Sequence, residues 1–303
     1  MINTDHAKAI SINYNTIFSC NVQSYNKNHD RIKNLVNQLK SPLIVALQEM
    51  WHPKINPQIA NYHKPSVSLR KKKEGGGLAT YIRKDLNFYE CIEINRVETP
   101  HIEKLATVLD NQKKFILINI YRAPKKKILE SLKDLEKIFE TAMTTRLPFV
   151  LVGDFNIDLK IDNYISRKYT ELIQTFNCIQ TVTHPTRISS FKKSLIDHCI
   201  CSNDFILESN VLEFPIADHQ PLLLNWHLKR NKDTFKSEKL IKINYKKLKT
   251  SLNNDHTEIE TQNCNDAFNT LHQKIINAVN NSKYQVSKKV HRRNPILLNK
   301  QLN

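Results

Sequence analysis

Residues 149–158 read FVLVGDFNID, a run that begins as a strand and then places two carboxylates and a carboxamide in its last five positions. Phe149 to Val152 are all apolar, so no alternation assigns them an outward face, and a strand of this kind is covered on both sides. Strands must end, and Gly-Asp and Asn-Ile are ordinary turn chemistry, with Gly153 letting the backbone bend at the edge. The polar cluster is therefore either a turn or a site at a strand's end.

Working outward, the same punctuation recurs. Leu43 to Leu47 closes in Gln48-Glu49, Phe115 to Ile120 closes in Tyr121-Arg122-Ala123-Pro124, and the strand Thr16 to Val22 carries Asn21 with Gln23-Ser24 behind it. A strand over 195–201 carries Asp197-His198, and Ala217-Asp218-His219 stands just before the strand 221–227. Any one of these could be a loop carboxylate or a satisfied turn histidine. Together they point to a site along one edge of a sheet, where strand ends converge.

The remaining patterns set the fold class. Ile32, Leu35, Val36 and Leu39 in RIKNLVNQL (31–39), and Ile128, Leu132, Leu135, Phe139 and Ala142 in 128–143, recur at helical spacing, and another helix is expected over 164–177. LATVLD (105–110) and FILINIY (115–121), joined by a polar turn, read as a hairpin; GGGLATYI (75–82) and 205–214 read as further strands. Hairpins among strand-helix-strand units predict an α/β protein with helices outside packed sheets rather than a purely parallel sheet. After Trp226 the chain becomes rich in Lys, Asn and Gln, without a strand signal but with a helical stripe at Phe268, Leu271, Ile275 and Val279. This predicts a domain over 1–229 and a helical connector or tail over 230–303.

A chain of 303 residues that is 40% hydrophobic can build one large core with an appendage. Its 46 Lys and Arg against 29 Asp and Glu leave a formal charge of +17, which predicts a polyanionic partner; the plainer reading is a solvated Lys-rich surface. The six cysteines lack C-x-x-C spacing, and alternation puts Cys199 and Cys201 on one strand face as small buried hydrophobes rather than zinc ligands. No stretch is apolar enough to span a bilayer, and MINTDHAKAI lacks the apolar core of a signal peptide. The expectation is no membrane partner and a reducing setting, nuclear or cytoplasmic.

Read in order, Asn21, Gln48-Glu49, Tyr121, Gly153-Asp154-x-Asn156, Asp197 and Asp218-His219 resemble the pattern of the endonuclease/exonuclease/phosphatase family, from Asn21 to about Trp226. GGGLATYIRKDL (75–86), NIYRAP (119–124) and above all THPTRISSFKKSLIDHCICS (183–202) resemble one branch of it, the apurinic-type endonuclease domain of non-LTR (LINE-like) retrotransposon polyproteins. The resemblance implies a four-layer α/β sandwich, two mixed sheets packed face to face and flanked by helices. It also implies a Mg²⁺-dependent DNA endonuclease, Mn²⁺ substituting, that nicks target DNA to leave a 3′-hydroxyl for reverse transcription.

Phosphodiester hydrolysis needs a cation on the phosphate, an aimed water and donors for the added charge, and hard oxygen ligands suit Mg²⁺. By the resemblance, Glu49 binds the metal with Asp218 beside it, and Asn21 assists at the metal or the phosphate. Asp154 orients the water, and Asn156, on the same face if the backbone stays extended, holds the water or a phosphate oxygen. His219 contacts the phosphate, Asp197 pairs with it, and Tyr121 offers its hydroxyl to phosphate or leaving group.

Two positions depart from the pattern: Gln23 stands where the family's repair enzymes have Asp, and Ala217 where relatives commonly have Ser or Thr. Basic residues beside the motif loops, Lys71, Lys72, Lys73, Arg122, Lys125, Lys126, Lys127, Arg187, Lys192 and Lys193, predict a rim that tracks DNA phosphates with little base specificity. The tail, ending RRNPILLNKQLN, looks like the connector before a reverse transcriptase in a longer polyprotein, although the chain has no Tyr/Phe-x-Asp-Asp polymerase block. The alternatives are a phosphatase or other phosphodiesterase of the same fold, and a catalytically decayed remnant that binds nucleic acid.

Overall fold

Two strand-helix-strand units organise the chain up to Lys229. The elements are α1 (Thr4–Asn13), β1 (Asn15–Asn21), α2 (Tyr25–Gln38), β2 (Ile44–Gln48), β3 (Ser66–Ser68), β4 (Leu78–Ile82), β5 (Phe88–Glu90), α3 (Ile92–Asn95), β6 (Glu103–Asp110), β7 (Lys114–Tyr121), α4 (Ile128–Thr144), β8 (Phe149–Asp154), α5 (Tyr164–Thr175), β9 (Cys178–Gln180), β10 (Arg187–Ile188), β11 (Lys193–Ser194), β12 (Asp197–Ser202), β13 (Phe205–Val211) and β14 (Leu222–Leu228). The computed structural model describes residues 1–70, 75–110, 114–124, 127–189, 192–203, 205–228, 237–253 and 263–289. In β1-α2-β2 and β7-α4-β8 the strands pair in parallel, because a helix carries the chain back across the sheet. The other strands of the two sheets add antiparallel, in the orders β13-β14-β1-β2-β4-β3 and β5-β6-β7-β8-β12-β9.

The two sheets pack face to face. Ile17, Ile44, Leu222 and Leu224 of the first meet Leu117, Val150, Val152, Cys199 and Cys201 of the second in one buried cluster. Their alternate neighbours point outward: Phe18, Val45 and Leu223 pack on Ile32, Leu35 and Val36 of α2, and Ile116, Phe149 and Leu151 pack on Leu135, Ile138 and Phe139 of α4. Period-two alternation with both faces covered explains why these strands read as continuous apolar runs. Each fully buried aliphatic side chain contributes on the order of 1.5–3 kcal/mol.

Between the sheets Gln48 Nε2 donates to Asn119 Oδ1 at 2.7 Å, and Asn119 Nδ2 donates to the Leu47 and Ala79 carbonyls at 3.2 and 3.1 Å. Sliding one sheet on the other would strand these buried groups, so the link holds the register beneath the strand ends.

Gly153 has another role than an edge bend. It lies within β8 opposite Ile120 of β7, with φ +144°, and a Cβ there would sit 1.9 Å from the Ile120 carbonyl oxygen. Glycine is required because two backbones approach closely.

The chain divides into Met1–Lys229 and Arg230–Asn303. The second unit contains β15 (Ser237–Ile243), α6 (Tyr245–Asn253), α7 (Cys264–Asn281) and β16 (Lys283–Lys289). The helical stripe falls in α7, but β15 and β16 form an antiparallel pair, so this extension is not purely helical. Neither segment has an apolar alternation strong enough to signal a strand; a partner far along the chain defines each. Among the described residues no helix is long and apolar enough to cross a membrane.

Candidate active site

All four parallel strands release their side chains at the same end. β1 ends at Asn21 and β2 at Gln48, so Glu49 follows; β7 ends at Tyr121, in register with Asp154 at the end of β8. Antiparallel β12 begins there, with Asp197 opposite Asp154.

Hydrogen bonds join these residues. Asn21 Nδ2 donates to Glu49 Oε1 at 2.8 Å and to Asp154 Oδ2 at 2.9 Å. Trp51 Nε1 holds the other Glu49 oxygen at 3.2 Å. Asn156 does not continue an extended strand: at φ +50° it curls back, so that its backbone N–H and Nδ2 both donate to Asp154, at 2.9 and 3.0 Å. Gln23, Glu49 and Ala217 also have positive φ, at 41°, 52° and 52°. For residues other than Gly and Asn this costs about 1–2 kcal/mol each, and such backbone collects at functional sites.

His219, 2% exposed, points Nδ1 at both oxygens of Asp197, 2.9 and 3.1 Å away. Burial disfavours its charged form, but Asp197, Asp154 and Asp218 outweigh burial and lift the imidazole to about 9. Asp154 is raised to about 7, by burial first and the Asp197 carboxylate second, against His219, Asn21 and Asn156. Burial, then Glu49 and Asp154, keeps the Tyr121 phenol above its usual range and thus protonated. Asp154, Asp197 and His219 can bring one ligand atom each within 4.8 Å of one another.

Residues 18–219 match the description "Endonuclease/Exonuclease/phosphatase family". The chain belongs to the endonuclease/exonuclease/phosphatase family. No curated protein sequence matches it. Among solved structures, the endonuclease domain of TRAS1, a telomere-specific non-LTR retrotransposon, superposes with TM-score 0.58 at 15% identity, covering 72% of this chain and 100% of that one. The Xenopus laevis APE2 catalytic domain gives 0.55 at 15%, covering 70% and 91%. The 3′ phosphatase NExo from Neisseria, bound to product DNA hairpin, gives 0.51 at 18%, covering 70% and 99%. At these identities the likeness establishes the fold, the α/β sandwich of the family.

Members of this family are hydrolytic nucleases and phosphatases that use divalent metals, and the donor set here fits one. Glu49 and Asp154 turn oxygens onto the same Asn21 amide, so two hard donors converge on one point. The elevated Asp154 marks buried negative charge that a cation would offset. The His219 side suits a cation less, since Asp197 is already engaged by an imidazole that carries charge itself. Asp218 is committed elsewhere: Gln23 Nε2 donates to Oδ1 at 2.5 Å and Arg187 Nε to Oδ2 at 2.6 Å, with His219 Nε2 3.7 Å from Oδ1.

The basic residues separate. Arg122 is 3% exposed and leaves the rim; its guanidinium donates to the carbonyls of Phe155, Asn156 and Ala123 at 2.5, 2.6 and 3.2 Å, bracing the loop that carries Asn156. Lys192 pairs with Asp158 at 3.1 Å, whereas Lys127 and Lys193 are exposed. Lys71, Lys72, Lys73, Lys125 and Lys126 lie outside the described residues.

Three contributors carry no site signal of their own in the sequence pattern, Trp51 beside Glu49 being the first. Buried Thr186 accepts the amide of Asp197 on Oγ1 at 3.0 Å and the amide of Gln220 on its carbonyl at 2.6 Å, tying β12 to the His219 turn. Gln23 stood out only as a departure. The signal for Thr186 was its place in the Pro-Thr-Arg segment.

Proposed function

We propose that the chain is a divalent-metal-dependent DNA endonuclease whose nick leaves a 3′-hydroxyl, made for target-primed reverse transcription by a polymerase in a longer parent chain. The observation that carries this reading is the convergence of Glu49, Asn21 and Asp154 on one side of the centre and the Asp197–His219 pair on the other. A carboxylate held to accept a proton, facing a charged donor, is what attack of water on a phosphodiester requires. Asp154 accepts the water's proton, Asn156 and Asn21 fix the carboxylate, and His219 presents Nε2–H to the phosphate while Asp197 keeps the ring oriented. Tyr121, protonated, donates toward the phosphate or the leaving oxygen. A Mg²⁺ or Mn²⁺ ion would be held by Glu49 beside Asp154, with the Asn21 amide orienting both carboxylates, and would supply charge neutralisation on the phosphate oxygens.

DNA as the substrate is supported by the +17 charge and by the retrotransposon-like segment 183–202. With Mg²⁺ the purified chain is expected to nick supercoiled plasmid, and Asp154→Ala and His219→Ala to abolish nicking. A DNA polymerase should extend the nicked product directly, since its 3′ end is a hydroxyl. Intact plasmid together with phosphate release from inositol phosphates would assign the site to a phosphatase. A chain that shifts DNA in a gel while wild type and both variants leave plasmid intact would be a binding remnant.

A further inference from the structure

Arg187 is mounted more rigidly than a rim residue needs. It bridges to His219 across an antiparallel contact, and the amide of Ile188 donates to the Asp218 carbonyl at 3.1 Å. Its Nε is spent on Asp218, while its Nη1 and Nη2 have no hydrogen-bond partner among the described residues and the side chain is 43% exposed. Gln23 holds the second Asp218 oxygen. The carboxylate thus has a guanidinium on one oxygen and an amide on the other, an arrangement in which a divalent cation would meet the positive charge of Arg187. The open edge of a guanidinium with the His219 Nε2, itself 3.7 Å from Asp218 Oδ1, beside it is the donor pattern that takes phosphate oxygens, and Arg binds them in a fork that Lys cannot form.

We propose that Asp218 is the anchor of Arg187 rather than a metal ligand, and that the guanidinium it holds, with Gln23 completing the cradle, grips a phosphate of the DNA strand beside His219. This rests on the nuclease reading. Asp218 and Gln23 are positioning residues; Arg187 touches substrate.

The test combines three measurements on the full chain: Mn²⁺ binding by calorimetry, binding of a short DNA duplex by fluorescence anisotropy across 50–200 mM salt, and plasmid nicking. Arg187→Ala is expected to weaken duplex binding about tenfold or more and to reduce the slope of log K against log salt by about 0.9, one phosphate contact. Arg187→Lys should keep the slope but not the affinity. Asp218→Asn should weaken duplex binding yet retain Mn²⁺ affinity, which Glu49→Gln loses, and the Arg187→Ala/Asp218→Asn double variant should bind no worse than Arg187→Ala. Wild-type chain that nicks, combined with an unchanged salt slope in Arg187→Ala or with loss of Mn²⁺ binding in Asp218→Asn, overturns this proposal alone. Wild-type chain that leaves plasmid intact overturns the nuclease reading and the proposal with it.

Discussion

The dipeptide Asp-His occurs at 197–198 and again at 218–219, and the fold makes opposite use of the two copies. At 197–198 it opens β12, where successive side chains face opposite sides of the sheet. Asp197 faces the centre and binds His219, while His198 faces the helix layer, stacked on Phe155 at 5.2 Å with the Tyr169 hydroxyl 2.7 Å from Nδ1. At 218–219 it lies in a turn closed by mutual backbone bonds of Ile216 and His219, and there the histidine faces the centre while the aspartate turns to Arg187 and Gln23. A dipeptide has no chemistry of its own until the backbone assigns its faces.

The comparison breaks if the two aspartates prove interchangeable. Asp197→Asn should lower the nicking rate about 10³-fold, within the range for losing an oriented acid-base group. It should also bring the His219 imidazole down from about 9, because the negative charge favouring the imidazolium is gone. NMR titration of the ring reads this, and Asp218→Asn should shift it less, its carboxylate lying 3.7 Å from Nε2 rather than in contact.

The strand-mounted copy also depends on Gly153, which pairs with His198 across β8 and β12. Gly153→Ala drives a methyl into the Ile120 carbonyl and should cost about 4 kcal/mol in chemical denaturation. Substitutions in the 217–218 turn should cost far less.

The same division explains what was legible in the sequence. Asn21, Glu49, Asp154 and Asp197 could be read because each is a polar residue at the end of an apolar strand, and a strand end has one address in a sandwich. Arg122 could not, because its partners are backbone carbonyls of residues 123, 155 and 156, which no side-chain pattern announces. Its place beside Tyr121 suggests a rim cation, and the fold makes it a buried brace. Thr186 failed for the same reason, and Gly153 was read as a bend because close approach of a neighbouring strand leaves no mark in a single strand's sequence. The hydrogen bond from Gln23 to Asp218 spans most of the domain's length in sequence, beyond any local pattern.

The two histidines should have opposite pH signatures. Burial, against the Leu195 carbonyl and the Asp197 charge, holds His198 down to about 4, so the folded chain keeps it neutral where the unfolded chain protonates it. Its contribution to stability is complete above pH 6.5 and is lost on acidification toward pH 4, about 3 kcal/mol in all. His219, raised to about 9, contributes in the reverse sense, fully below pH 6.5 and less as pH climbs through 9. Denaturation of wild type and His198→Phe from pH 8 to 4 isolates the first: wild type should lose that amount relative to the variant.

The smallest effect belongs to the turn. Ala217 holds φ +52°, where its Cβ crowds the following carbonyl, so Ala217→Gly removes strain, less the extra entropy glycine loses on folding. The net is a gain of about 0.5–1 kcal/mol in chemical denaturation. In β8, by contrast, exchanging the same two residues the other way is costly because a neighbouring backbone leaves no room for a methyl group. If Ala217→Gly instead destabilises the chain, the turn is held by contacts of the alanine methyl, and the contrast between a rigid strand-mounted copy and a strained turn-mounted one must be redrawn.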